Sequence, residues 1–187
     1  GQVVDAAMVD GASVLMSMFY AFKASGFWIE ERESNLLDGA AHFYDTYECA
    51  DQKFLAVGSI EPQFYSVLLD KLEISDIKFQ DQHNKKLWPE LKSIIRKKIK
   101  EKTRDEWADI FDGSDACVAP VLSLSEAPEH HHMKERNSFV EVDGVIQPAP
   151  APRFSDTAPS IKHSSVKAGE NNDEICAKFD LDRSCFS

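Results

Sequence analysis

The sequence predicts an α+β fold. Apolar residues recur at helical spacing after Glu61 and again after Trp88. Two β-rich pairs flank the turn signals Asp51-Gln52 and Asp143-Gly144. Helical and strand periods thus alternate along one chain, with no internal repeat. At 187 residues the chain is long enough to bury a core, as one large domain or two small ones.

The opening run, Gly1 to Trp28, is apolar on all sides and reads as one long buried helix over residues 1–27, with neighbours on several sides. Asp5 and Asp10 interrupt it. The uncharged part, Gly11–Phe22, is too short for a bilayer, which needs about 20 residues. No basic segment precedes it, so a signal peptide is not expected. With Gly1 in first place and no helix cap, the chain reads as cut into a longer protein. Residues 29–41 are polar and read as a loop. His42–Ala50 and Lys53–Gly58 form a hairpin about Asp51-Gln52.

From Glu61 the period becomes helical. Phe64, Val67, Leu68 and Leu72 share one face, and Pro62 suits a first turn, where its missing N–H is not needed. Residues 73–86 are polar and loop-like. Trp88–Lys102 is a basic amphipathic helix with Ile94, Ile95 and Ile99 inward. Thr103-Arg-Asp-Glu106 is a capping box opening a helix through Trp107, Ile110 and Phe111. After the turn Asp112–Asp115 comes a short apolar strand, Ala116–Leu122. Ser123–Glu126 is a second capping box, and the helix after it carries His130, His131 and His132. Ser138–Val142 and Val145–Pro148 pair about Asp143-Gly144. Four prolines between 148 and 159 mark an extended tail, with a last short helix at Asn171–Phe179. The expected division is a linker helix over 1–28, a small α+β domain over 29–147, and an extended segment over 148–187.

Charge narrows the function. A net charge of −11 argues against nucleic-acid binding, which needs a cationic surface. Cys49, Cys117, Cys176 and Cys185 fit no zinc spacing and read as reduced thiols, pointing to an intracellular compartment. Adjacent histidines on a helix point about 100° apart, so His130–His132 cannot share one ion. The basic run after Arg96 reads as a solvated face, and Cys117 as a small core residue. No nucleophile elbow, P-loop, dinucleotide fingerprint or zincin motif occurs.

Glu61 carries two readings. One is a first-turn glutamate favoured by the helix dipole. The other is a general acid or base, approached closely past Gly58 and Ser59 and partly dried by Ile60 and Pro62.

The blocks Gly1–Gly11, Asn35–Tyr47, Val57–Tyr65, Ile110–Ser123 and Lys134–Phe139 together resemble one family. They look like the C-terminal half of the α-methylacyl-CoA racemases, in the family III CoA-transferase superfamily. The Glu61-Pro-Gln-Phe-Tyr65 and Asp112-Gly-Ser-Asp-Ala-Cys117 blocks are its most specific parts.

The resemblance implies that residues 29–147 are the small domain of that fold. Both chain ends would return to a Rossmann-like large domain, within an interlocked dimer. It implies interconversion of the 2R and 2S epimers of 2-methyl-branched fatty acyl-CoA thioesters, in branched-chain fatty acid and bile acid metabolism. The α-proton leaves, an enolate-like intermediate forms, and a proton returns on the other face. One face is served by a histidine paired with a glutamate, which matches Glu61, and the other by an aspartate. Neither the histidine nor the aspartate has a counterpart here, and His42 is given no role, so this chain alone is expected to be inactive. Tyr44 and Ile60 match positions lining the acyl pocket, with Leu37 as a further lining residue.

No cofactor or metal is implied. The partners implied are the 2-methylacyl-CoA substrate and a homodimer mate, with no membrane span. Peroxisome and mitochondrion are the implied locations, although Cys185-Phe186-Ser187 is no clear Ser-Lys-Leu-type signal. The alternatives are a family III CoA transferase with an aspartate nucleophile, which would lack the Glu-Pro pair, and a non-catalytic dimerisation module.

Overall fold

The computed structural model describes residues 1–186, and for Cys185 and Phe186 the backbone alone. The reading of Cys185 as a reduced thiol, and that of the Cys185-Phe186-Ser187 terminus as no clear Ser-Lys-Leu-type signal, lie outside the described side chains and residues. The chain divides into two compact units, Gly1–Val121 and Leu122–Ser187. Both helices and strands are present, as the mixed pattern predicted.

The first unit begins with α1 (Met8–Leu15) and α2 (Ser17–Ala24). One continuous helix was expected, and the structure breaks it in two; the neighbours expected to bury it are not found among the described residues. The Ser13 and Ser17 hydroxyls donate to the Val9 and Val14 carbonyls at 2.8 and 2.6 Å. Such back-bonding competes with the helical ladder and bends it, and the break falls at Met16. Neither helix buries a residue; Met8 is 91% exposed and Leu15 82%. α2 closes at Gly26, whose φ of 73° lets Phe27 and Gly26 donate to the Phe22 and Lys23 carbonyls.

The core forms where three strands meet three helices. β1 (Tyr44–Glu48), β2 (Phe54–Gly58) and β3 (Val118–Pro120) make an antiparallel sheet in that order. Tyr44 lies opposite Gly58, so alternate residues Tyr47, Leu55 and Val57 turn inward. Against them pack α4 (Trp88–Ile99), through Trp88, Leu91, Ile95 and Ile99, and α5 (Arg104–Phe111), through Trp107 and Phe111. The Thr103–Glu106 capping box forms as its spacing predicted. The Trp107 indole donates to the Ile99 carbonyl at 2.7 Å and ties α5 to the end of α4.

α3 (Pro62–Lys71) buries Tyr65 and Leu68, with Leu72 just beyond its end. Tyr65 therefore takes the inward place expected of Phe64, because its hydroxyl finds the buried His42 Nε2 at 2.7 Å. Residues 73–86 are more than a polar loop: a 3-10 turn at Ile77–Gln80 buries Phe79, and Gln82 is buried beyond it.

The second unit holds α6 (His131–Glu135), the hairpin β4 (Phe139–Val142) and β5 (Val145–Pro148), and α7 (Asn172–Phe179). Asp143 and Gly144 both take positive φ, 51° and 79°, which a tight Asp-Gly turn requires. The Ser123–Glu126 capping bonds form reciprocally, but on a turn leading to a 3-10 segment, Ala127–Glu129. Pro128 lies inside that segment, and the helix with His131 and His132 starts afresh after His130. Among the described residues no helix is long and apolar enough to cross a membrane.

His42 gives the core a pH signature. It is fully buried, and its Nδ1 has no hydrogen-bond partner among the described residues. Burial first, and His83 second, push its pKa down from 6.5 to about 4. The unfolded chain then binds the extra proton across that interval, so stability is complete above the unfolded value and falls with pH down to the folded one. Between pH 6.5 and 4 the loss amounts to about 3 kcal/mol. Urea unfolding of the wild type and His42→Gln at several pH values should show this component only in the wild type. Parallel curves would refute it.

Candidate functional site

The turn from β2 to α3 places Glu61. Gly58 is the last residue of β2, and its N–H donates to the Cys117 carbonyl at 2.9 Å. Ser59 is fully buried; its N–H donates to the Phe43 carbonyl at 3.0 Å and its hydroxyl to the Ala116 carbonyl at 2.5 Å. The Ile60 N–H turns back to the Gly58 carbonyl at 2.9 Å. The Ser59 and Ile60 carbonyls both accept from the Gln82 side-chain amide, at 3.1 and 2.9 Å. Glu61 is the N-cap residue of α3, in extended backbone (φ −74°, ψ 143°), and its carbonyl accepts from the Tyr65 N–H.

The Glu61 carboxylate makes no capping bond and the residue is exposed. Ile60 is half-buried and Pro62 exposed, so the drying expected of these neighbours is not seen in this chain. The dipole of α3 presents its positive end here, a favourable place for a carboxylate.

Beside this turn an open concavity of about 400 Å³ lies over the outer face of the sheet. Its lining brings together Leu37, Tyr44, Gly58 and Cys117, with Ala56 and Ala119 between them. Ile60 and Glu61 are not among the lining residues. Glu61 nonetheless lies within electrostatic reach of Cys117, whose thiol is pushed above its ordinary value by burial first, then by the charges of Glu61 and Asp115. Cys117 is exposed with φ 54°, so the reading of it as a core residue fails; Ala116 takes the buried place. A thiol pushed up this way is poorly ionised and makes a weak nucleophile.

Leu37 is held by the loop beneath it. Asn35, 1% exposed, exchanges two bonds with Ile29 and donates to Asp38. Burial alone would raise the Asp38 carboxyl, but donation from Asn35, Ser34 and Ala40 outweighs it and holds the pKa below its ordinary value. At the polar end of the concavity Asp45 pairs with the Lys92 ammonium at 2.5 Å, and Lys92 also reaches the Gly39 carbonyl.

Sequence reasoning missed three of the groups that build this site: Gln82, the Ser59 hydroxyl and the Asn35–Asp38 pair. Their bonds to the turn span 22 to 57 residues or lie in an aperiodic loop. Periodicity carries no signal for either.

Comparison with known proteins gives this geometry a family context. A model of CoA-transferase family III matches residues 1–172. The α-methylacyl-CoA racemase of Mus musculus is 43% identical over 183 residues, covering 96% of this chain and 48% of that protein. Its Homo sapiens counterpart is 42% identical over 186 residues, covering 98% and 48%. The chain thus spans about half the length of the curated relatives it matches. Among solved structures, a CAIB/BAIF family protein from Brucella suis superposes with a TM-score of 0.69 at 21% identity, covering 95% of this chain and 48% of that one. At that identity the likeness speaks for the fold.

Two substitutions separate the frame of the site from its surface. Ser59→Ala leaves a buried carbonyl without its donor and should cost about 1–3 kcal/mol in urea unfolding. A Cβ on Gly58 would meet only ordinary contacts, 3.6 Å from the Cys117 carbonyl and 3.8 Å from the Tyr44 ring. Gly58→Ala should therefore change stability by less than about 1 kcal/mol. Equal losses in the two variants would contradict this division.

Proposed function

The chain belongs to CoA-transferase family III, and we propose that it supplies one side of an active site that interconverts 2R and 2S epimers of 2-methyl-branched acyl-CoA thioesters. Support comes from relatives named α-methylacyl-CoA racemase, 42–43% identical across nearly all of this chain. The single observation that carries the reading is Glu61: an exposed carboxylate on a backbone held by buried hydrogen bonds, beside an apolar concavity.

Epimerisation at the α-carbon needs a base on each face of a planar intermediate and donors for the developing oxyanion. Glu61 accepts from a histidine outside these residues, fixes its tautomer and stabilises the imidazolium that forms when the α-proton is taken. An aspartate, also outside, serves the opposite face. Leu37, Tyr44 and Ile60 meet the acyl chain on its apolar side. The Glu-Pro pair at residues 61–62 favours this chemistry over transfer through an aspartyl nucleophile. A homodimer mate and a place in peroxisomes and mitochondria belong to the same proposal. The exposed apolar residues of α1 and α2 support a further body packing there.

The test is α-proton exchange in D2O with (2R)-2-methylacyl-CoA, followed by NMR. The chain alone should show no exchange, and adding a separately expressed N-terminal large domain should restore it. Glu61→Gln should then lower the rate by about 10²–10⁴-fold. Exchange by the chain alone, or full activity in Glu61→Gln, would overturn the proposal.

A further inference from the structure

We infer that Gln82 is the positioning residue for Glu61: its side-chain amide locks the peptide that leads into the carboxylate. The inference rests on the proposed role of Glu61. Gln82 is 6% exposed, although it lies in a run of polar residues, 81–86. One amide nitrogen donates to two successive carbonyls, Ser59 at 3.1 Å and Ile60 at 2.9 Å. The Ile60 carbonyl belongs to the peptide plane whose nitrogen is that of Glu61. Rotation of that plane would swing the Glu61 Cα–Cβ bond, and the carboxylate has no capping bond of its own to resist the swing.

Gln82 is itself held. The Trp88 indole at the start of α4 donates to the Gln82 carbonyl at 2.8 Å. A rigid path therefore runs from α4 through Trp88 and Gln82 to the entrance of α3. On the far side of Glu61, its carbonyl is taken by the Tyr65 N–H at 3.0 Å. Only the side-chain torsions of Glu61 remain free to turn. Such restraint has a catalytic meaning, because misplacing a reacting group by about 1 Å can cost about 100-fold in rate.

Gln82→Met keeps the length and removes the donors; Gln82→Glu keeps the shape and has a donor only when protonated. Amide exchange in the chain itself needs no activity. In Gln82→Met, the Ser59, Ile60 and Tyr65 amides should exchange about tenfold faster, while the Trp107 amide in α5 stays unchanged. A uniform rise, or none, would overturn the inference, and Gln82→Glu decides the matter should Gln82→Met fail to fold.

In the complemented assembly, Gln82→Met should lower kcat about 10–100-fold with KM unchanged. It should add nothing on a Glu61→Gln background. In Gln82→Glu, kcat relative to wild type should rise as pH falls and the donor returns. A loss confined to KM, or one that adds to Glu61→Gln, would mean that Gln82 acts elsewhere. Should Glu61→Gln itself leave exchange intact, the proposed function fails while the amide data still judge the lock.

Discussion

Strand β2 must end and helix α3 begin within three residues, and the buried Ser59 makes that possible. Its hydroxyl reaches a carbonyl 57 residues further along the chain. Without that bond the Ala116 carbonyl would lie buried and unpaired, at a cost of about 1–3 kcal/mol. With it, β3 is pinned beside β2, Cys117 is turned outward, and the Gly58 N–H gains its acceptor. Pro62 then opens α3 where a missing N–H does no harm. The direction of Glu61 follows from these restraints, because the backbone fixes where its Cβ points.

The same turn separates two environments. One side is the core, where the aromatic ring of Tyr65 and the imidazole of His42 meet without solvent. The other is the sheet's outer face, where Tyr44, Ala56 and Gly58 line an open, mainly apolar hollow whose lining also includes Asp45, the partner of Lys92. A carboxylate between the two belongs to neither. It is neither buried by its neighbours nor tied into a surface ion pair among the described residues. An unengaged carboxylate on a fixed backbone is free to accept from a group brought to it.

Much of this fold could be read from local pattern. The hairpin turns, the inward face of α4 and the Thr103–Glu106 box depend on residues within a few positions of one another, and all formed as read. What pattern missed depends on distant partners. Tyr65 displaced Phe64 because of His42, and Gln82 is buried because two carbonyls more than 20 residues away need a donor. The opening helix was misread in its continuity, which the Ser13 and Ser17 back-bonds break. Its apolar residues report that something covers them, and periodicity cannot say whether that cover lies in the same chain. Here α1 and α2 lie exposed. Glu61 stood out because glycine, apolar neighbours and proline framed it, yet the frame proved to be one of orientation rather than burial.

This distinction bears on how a shared active site could work. If the carboxylate needed desolvation by its own chain, the pocket would have to close around it before any partner arrived. Instead the described residues fix its backbone and leave its face open. On the proposed reading, preorganisation and water exclusion are therefore divided: this chain contributes the first through Ser59 and Gln82, and the body that brings the histidine contributes the second. A carboxylate held in place before docking loses little conformational freedom when the site is completed, so the docking energy can go to excluding water and aligning the opposing base. The apolar surfaces of α1 and α2 are where such docking energy would be found, well apart in sequence from the residues that aim Glu61.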